Sequence, residues 1–152
     1  MIDISINESF TEFINPELLQ STAIMALQIA QFESSTELTI AIEDDEQLRS
    51  LNLQFLELDT PTDVLSFPAD EVDPDTGNTC LGDIIISYPR AKYQAEQAGH
   101  PVEAEIQLLV IHGVLHLLGY DHATPEEKSE MWAVQNQLIQ AMAVEIKKLP
   151  ED

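Results

Sequence analysis

Three of the chain's four histidines fall in one eleven-residue stretch, His112-Gly-Val-Leu-His116-Leu-Leu-Gly-Tyr-Asp-His122. Neutral imidazole offers a nitrogen lone pair near pH 7 and is the commonest metal-binding side chain. Residues four apart on a helix lie one turn from each other, so His112 and His116 project from one face. Gly119 can end that helix in a left-handed cap, where a side chain would clash. The chain can then turn and bring His122 back towards the other two. Three protein ligands with a fourth position open are the pattern of a catalytic metal site rather than a structural one. The plainer alternative is a set of packed core histidines. Two adjacent buried rings, however, need two sets of hydrogen-bond partners, which favours a metal site.

The ligand spacing resembles that of the metzincin proteases. Those enzymes place Glu directly after the first histidine as general base, whereas Gly113 stands there in this chain and can accept no proton. That departure argues against a protease. The run from His112 to His122 is joined by Leu51-Asn52, by Pro61-Thr-Asp-Val-Leu-Ser-Phe-Pro68, by Gly82-Asp-Ile84 and by Met131. In this order the segments closely resemble the YbeY family, and they cover most of residues 40–135. The resemblance implies a small α+β fold in which His112, His116 and His122 bind one zinc ion, Zn2+. It also implies a single-strand-specific endoribonuclease that matures the 3′ end of small-subunit (16S) rRNA and takes part in ribosome assembly or quality control. Three imidazoles also accept nickel, cobalt or copper, so the spacing alone leaves the metal open.

The chain departs from the family at Leu56, where an arginine is expected beside the metal site. A guanidinium would pair with phosphate or stabilise developing charge, and leucine does neither. Arg49 lies about two helical turns earlier, so it is no direct substitute. Arg90 and Lys92 follow an apolar strand and are the candidate phosphate contacts, with simple surface residues as the plainer reading. Asp121 adjoins a ligand and either orients it or stabilises the turn. Asp63, Ser66 and Asp83 lie in family-like segments but suit caps and turns equally well, so no general base is assigned.

Alternation predicts strands at 2–7 and 37–42, and apolar runs predict short strands at 64–67, stopped by Pro68, and at 81–87, central in the sheet. Helical spacing predicts helices from Pro16 to about Phe32, from Glu46 to about Leu56 behind an Asp44 or Asp45 cap, and from Pro89 to Ala98, ended by Gly99. A further apolar helix opens at Pro101 and carries His112 and His116 near its end. Thr124-Pro-Glu-Glu127 has the form of a capping box opening a last helix to about Lys148. Residues 69–80 read as an exposed acidic loop. Its Asp73, Asp75 and Gly77 lack the later ligands of a calcium loop. The sum is one α+β domain over 1–152, with a mixed sheet of about four strands and about five helices.

Charge sets the remaining limits. The chain holds 28 acidic and 6 basic residues, a net charge of −22. Residues 1–76 carry 17 acids against one base, Arg49, and residues 77–152 carry 11 acids against five bases. Such a surface favours solubility and basic partners and works against polyanions. This motivates a second reading, a ribosome-assembly factor that docks on basic proteins of the small subunit around a mainly structural metal. A single cysteine, Cys80, excludes an intrachain disulfide. No apolar stretch approaches the roughly 18–20 residues of a membrane span, and the N-terminus lacks the pattern of a secretory signal. The expectation is a cytoplasmic protein that binds RNA, with no membrane or DNA partner.

Overall fold

The computed structural model describes residues 2–29, 36–60, 62–120 and 123–142. Ile2, Ile4 and Ile6 form strand β1 (Ile2–Ile6), and Thr36–Glu43 forms β2. Between them lie a 3-10 helix over Glu8–Phe13, which residue patterning did not anticipate, and helix α1 (Pro16–Ile29). Helix α2 (Asp45–Leu56) starts where the Asp44 carboxylate accepts from the Gln47 N–H at 2.8 Å, satisfying one of the helix's orphan donors. Strands β3 (Val64–Val72) and β4 (Thr79–Ser87) follow. Then come helices α3 (Tyr88–Ala98), α4 (Val102–Leu117) and α5 (Pro125–Met142). The expected end of the first helix near Phe32, and that of the last near Lys148, lie outside the described residues.

The four strands lie in the order β1-β2-β4-β3. The β1–β2 and β2–β4 pairs are parallel and the β3–β4 pair is antiparallel, so the sheet is mixed and the fold is α+β. β4 is an internal strand, as its near-continuous apolar run requires. Leu38, Ile40 and Ile42 of β2 and Ile84 and Ile86 of β4 are buried in one core cluster. Helix α4 packs against α1, α3, α5, β3 and β4, which explains why its sequence is apolar nearly all round.

Two expectations need correction. The strand beginning at Val64 does not stop at Pro68 but runs to Val72, and the stretch 69–80, exposed over most of its described residues as expected, is loop only at 73–78, with 69–72 and 79–80 forming arms of a hairpin. β3 is an edge strand, and the missing N–H of a proline is tolerated on an edge. The register shifts between Pro68 and Glu71, opposite Gly82. Gly82 has φ +141°, and a Cβ there would lie 2.1 Å from the Phe67 carbonyl oxygen, so the irregular pairing requires glycine. The hairpin tip is closed by the Asp73 N–H donating to the Asn78 carbonyl at 2.8 Å and the Gly77 N–H donating to the Asp73 carbonyl at 2.8 Å. The Asp73 carboxylate also accepts from the Asp75 N–H, so these acids serve the turn.

Candidate active site at the end of helix α4

Helix α4 ends in the hydrogen-bond pattern of a Schellman motif. The Tyr120 N–H donates to the Leu115 carbonyl and the Gly119 N–H to the His116 carbonyl, both at 3.0 Å, with Gly119 at φ +100°. The last turn is thereby fixed, and His116 with it. One turn earlier, Gly113 lies against β4, where a Cβ would stand 2.8 Å from Ile84 Cγ2. The close approach of helix to sheet thus explains the glycine, and no room exists there for the glutamate of a protease.

The described residues bring His112 and His116 together. Their Nε2 atoms are 3.1 Å apart, and the rings meet edge to face with centroids at 4.6 Å. His112 is buried and His116 half-buried. From α5, Gln135 reaches His112, its Oε1 lying 3.2 Å from Nδ1. An amide oxygen only accepts, so this contact requires the proton on His112 Nδ1 and leaves the lone pair on Nε2. The Trp132 ring meets His112 at 6.0 Å between centroids, and Lys128 Nζ lies 5.8 Å from the Trp132 ring centre. His122 and Asp121 lie outside the described residues.

The donor set suits a zinc ion. Two tetrahedral ligands at ~2.0–2.1 Å from one ion stand about 3.4 Å apart, close to the observed separation. Hydrogen bonding of the far ring nitrogen to a carbonyl is the usual support of a ligating histidine. Sequence patterning missed Gln135, Trp132 and Lys128. Only their places on α5, at 128, 132 and 135, hinted that they share a helix face.

The other candidates have local roles. Arg90 Nη2 is 3.3 Å from Asp45 Oδ2, and Asp45 also accepts from the Ser87 hydroxyl, tying the starts of α2 and α3 together. Lys92 is exposed on α3. Asp63 accepts from the Val64 N–H and from the Gln94 amide. Ser66 pairs with Ile84 in the β3–β4 register, and Asp83 is exposed. Leu56 is 52% exposed, beside the Phe55–Phe67 contact. Arg49 is bound to Asp59 at 2.7 Å, which holds that carboxylate below its usual range. The fourth histidine, His100, is buried against Glu105 of α4, away from the pair.

The fold and site together define a small mixed-sheet α+β protein whose buried central helix ends in a close pair of imidazoles. The family model described as Endoribonuclease YbeY matches residues 3–143, and the chain belongs to the YbeY endoribonuclease family. Proteins named Endoribonuclease YbeY include one from Rhodococcus opacus, 39% identical over 99% of this chain and 87% of its own length. Those from Corynebacterium kroppenstedtii and Mycolicibacterium smegmatis are each 40% identical. The first match covers 88% of this chain and 70% of the relative, the second 91% and 81%. A solution structure of a Thermotoga maritima protein superposes with a TM-score of 0.58 at 25% identity, covering 94% of this chain and 92% of that one. No helix among the described residues is long and apolar enough to cross a membrane.

Proposed function

We propose that this protein is a zinc-dependent endoribonuclease of the cytoplasm that cleaves single-stranded RNA and matures the 3′ end of small-subunit rRNA during ribosome assembly. The observation that carries the proposal is the convergence of His112 and His116 Nε2 at 3.1 Å, with Gln135 holding the far side of His112. His122 would complete the ligand set, and Asp121 would steady it. When bound, a zinc ion polarises phosphoryl oxygens and makes a water acidic near neutral pH. The chain's own part is to aim the imidazoles, shield them within the fold and hold the substrate's phosphates. Lys128, exposed above Trp132, is tied to the pair through these ring contacts, and it suits a phosphate contact better than Arg90, which Asp45 engages.

The test is cleavage of matched single- and double-stranded RNA with and without chelator, in wild type and in His116→Ala. Loss of single-strand cleavage on chelation and in the variant is expected, with a drop of at least about a hundredfold, since metal chemistry supplies several kcal/mol of the barrier reduction. Unchanged cleavage in both arms overturns the proposal. A second reading, an assembly factor docking on basic ribosomal proteins, is favoured by the run Leu53, Phe55, Leu56 and Leu58, all about half exposed on an acidic surface. On the nuclease reading, Leu56→Arg raises RNA cleavage. On the docking reading, it leaves cleavage low and weakens binding to a basic partner.

A further inference from the structure

The buried face of α5 is formed by Met131, Gln135 and Leu138, each 0% exposed and spaced four and three residues apart. Two of the three are apolar and complete the core, and a leucine or methionine at 135 would continue the same seam. Glutamine there brings a buried amide whose Nε2 has no hydrogen-bond partner among the described residues. A group left in that state is destabilising, so packing does not account for it. Its Oε1, by contrast, is on His112 Nδ1 at 3.2 Å.

We infer that Gln135 is a positioning residue that fixes the tautomer of His112. By accepting from Nδ1–H, it commits the lone pair to Nε2, on the side facing His116. Without an acceptor at 135, this hold on the Nδ1 proton is lost, and a ring protonated on Nε2 cannot ligate there. The support is also neutral. Amide oxygen accepts less strongly than carboxylate, so Gln135 orients the ring while adding no negative charge to a buried site. The inference rests on the zinc reading for its consequence, but the tautomer exists in the metal-free protein and is measured there.

Two variants of the full chain separate the cases. Gln135→Met keeps length and apolar packing but removes the acceptor, whereas Gln135→Glu keeps an acceptor. Nitrogen-15 spectra of the metal-free protein report which nitrogen of His112 is protonated. Competition against a chromophoric chelator reports the affinity for zinc. Wild type should show Nδ1 protonated. Gln135→Met should lose that preference and bind zinc about 10- to 100-fold more weakly, the usual effect of removing such a support. Gln135→Glu should bind zinc at least as tightly as wild type. A wild-type His112 protonated on Nε2 overturns the inference, and so does a Gln135→Met variant with the wild-type tautomer and zinc affinity within about twofold. If wild type binds no zinc, the proposed function fails instead, while the spectra still decide the role of Gln135. Should Gln135→Met fail to fold, the wild-type spectrum and the Gln135→Glu affinity remain decisive.

Discussion

Gly113 shows how a single residue is legible in one sense and opaque in another. From the sequence it is the absence of a base, which sets the chain apart from proteases of similar histidine spacing. In the structure it is the point where α4 rests on Ile84. Helix propensity favours alanine over glycine by about 1 kcal/mol. Here a Cβ would lie 2.8 to 3.0 Å from three atoms of the Ile84 side chain, which is itself fully buried. Overpacking of this kind costs ~1–3 kcal/mol and outweighs the propensity gain. Gly113→Ala is therefore expected to lose stability in denaturant unfolding, and the same change in an Ile84→Ala background to lose none. Equal losses in both backgrounds would sink this account. Gln135 was illegible for the opposite reason: a lone amide in a helix has no spacing signature, and its partner lies 23 residues away.

Most elements were legible because apolar periodicity and caps agree with the fold. Asp44, Gly99 and Thr124 cap as their types predict, with the Glu127 N–H donating to the Thr124 hydroxyl at 3.1 Å. Both strands of the β3–β4 hairpin were legible, but the extension of β3 past Pro68 was not, since a proline within a run argues against a strand unless that strand is known to lie on an edge. The α3–α4 joint holds a different hidden feature, the buried pair of His100 Nε2 and Glu105 Oε1. Burial pushes the Glu105 carboxyl above its ordinary 4.5, and the His100 hydrogen bond opposes that rise. The folded state then holds this proton more tightly than the unfolded chain does. Its contribution to stability is fully present below pH 4.5 and is lost as pH rises through the raised folded value. In Glu105→Gln this component is absent. Its unfolding free energy, followed by denaturant titration at a series of pH values above 4.5, should decline less with pH than that of wild type. A parallel decline would place the pH dependence elsewhere.

At the scale of the molecule, the net charge of −22 sets the terms on which any RNA is held. Single-strand binding weakens with salt at a slope of about −0.7 per phosphate neutralised. Two of the six basic residues are engaged within the fold, Arg49 with Asp59 and Arg90 with Asp45. Lys147 and Lys148 lie outside the described residues, which leaves Lys92 and Lys128 as the described cations open to phosphate. Two contacts give a slope of about −1.4, shallow for a nucleic-acid-binding protein. Lys128→Ala should weaken single-strand binding across sequences alike and reduce the slope by about 0.7, because Lys128 lies over the tryptophan that flanks His112. Lys92→Ala should reduce the slope by the same amount, since Lys92 supplies the second contact. The measurement is the dissociation constant of a chelator-treated protein for fluorescent single-stranded RNA across a salt series, which separates binding from cleavage. A wild-type slope several times steeper would show that the ion pairs open to admit RNA. A Lys128→Ala slope equal to that of wild type would remove this lysine from the RNA path and leave the imidazole pair without a described cation beside it.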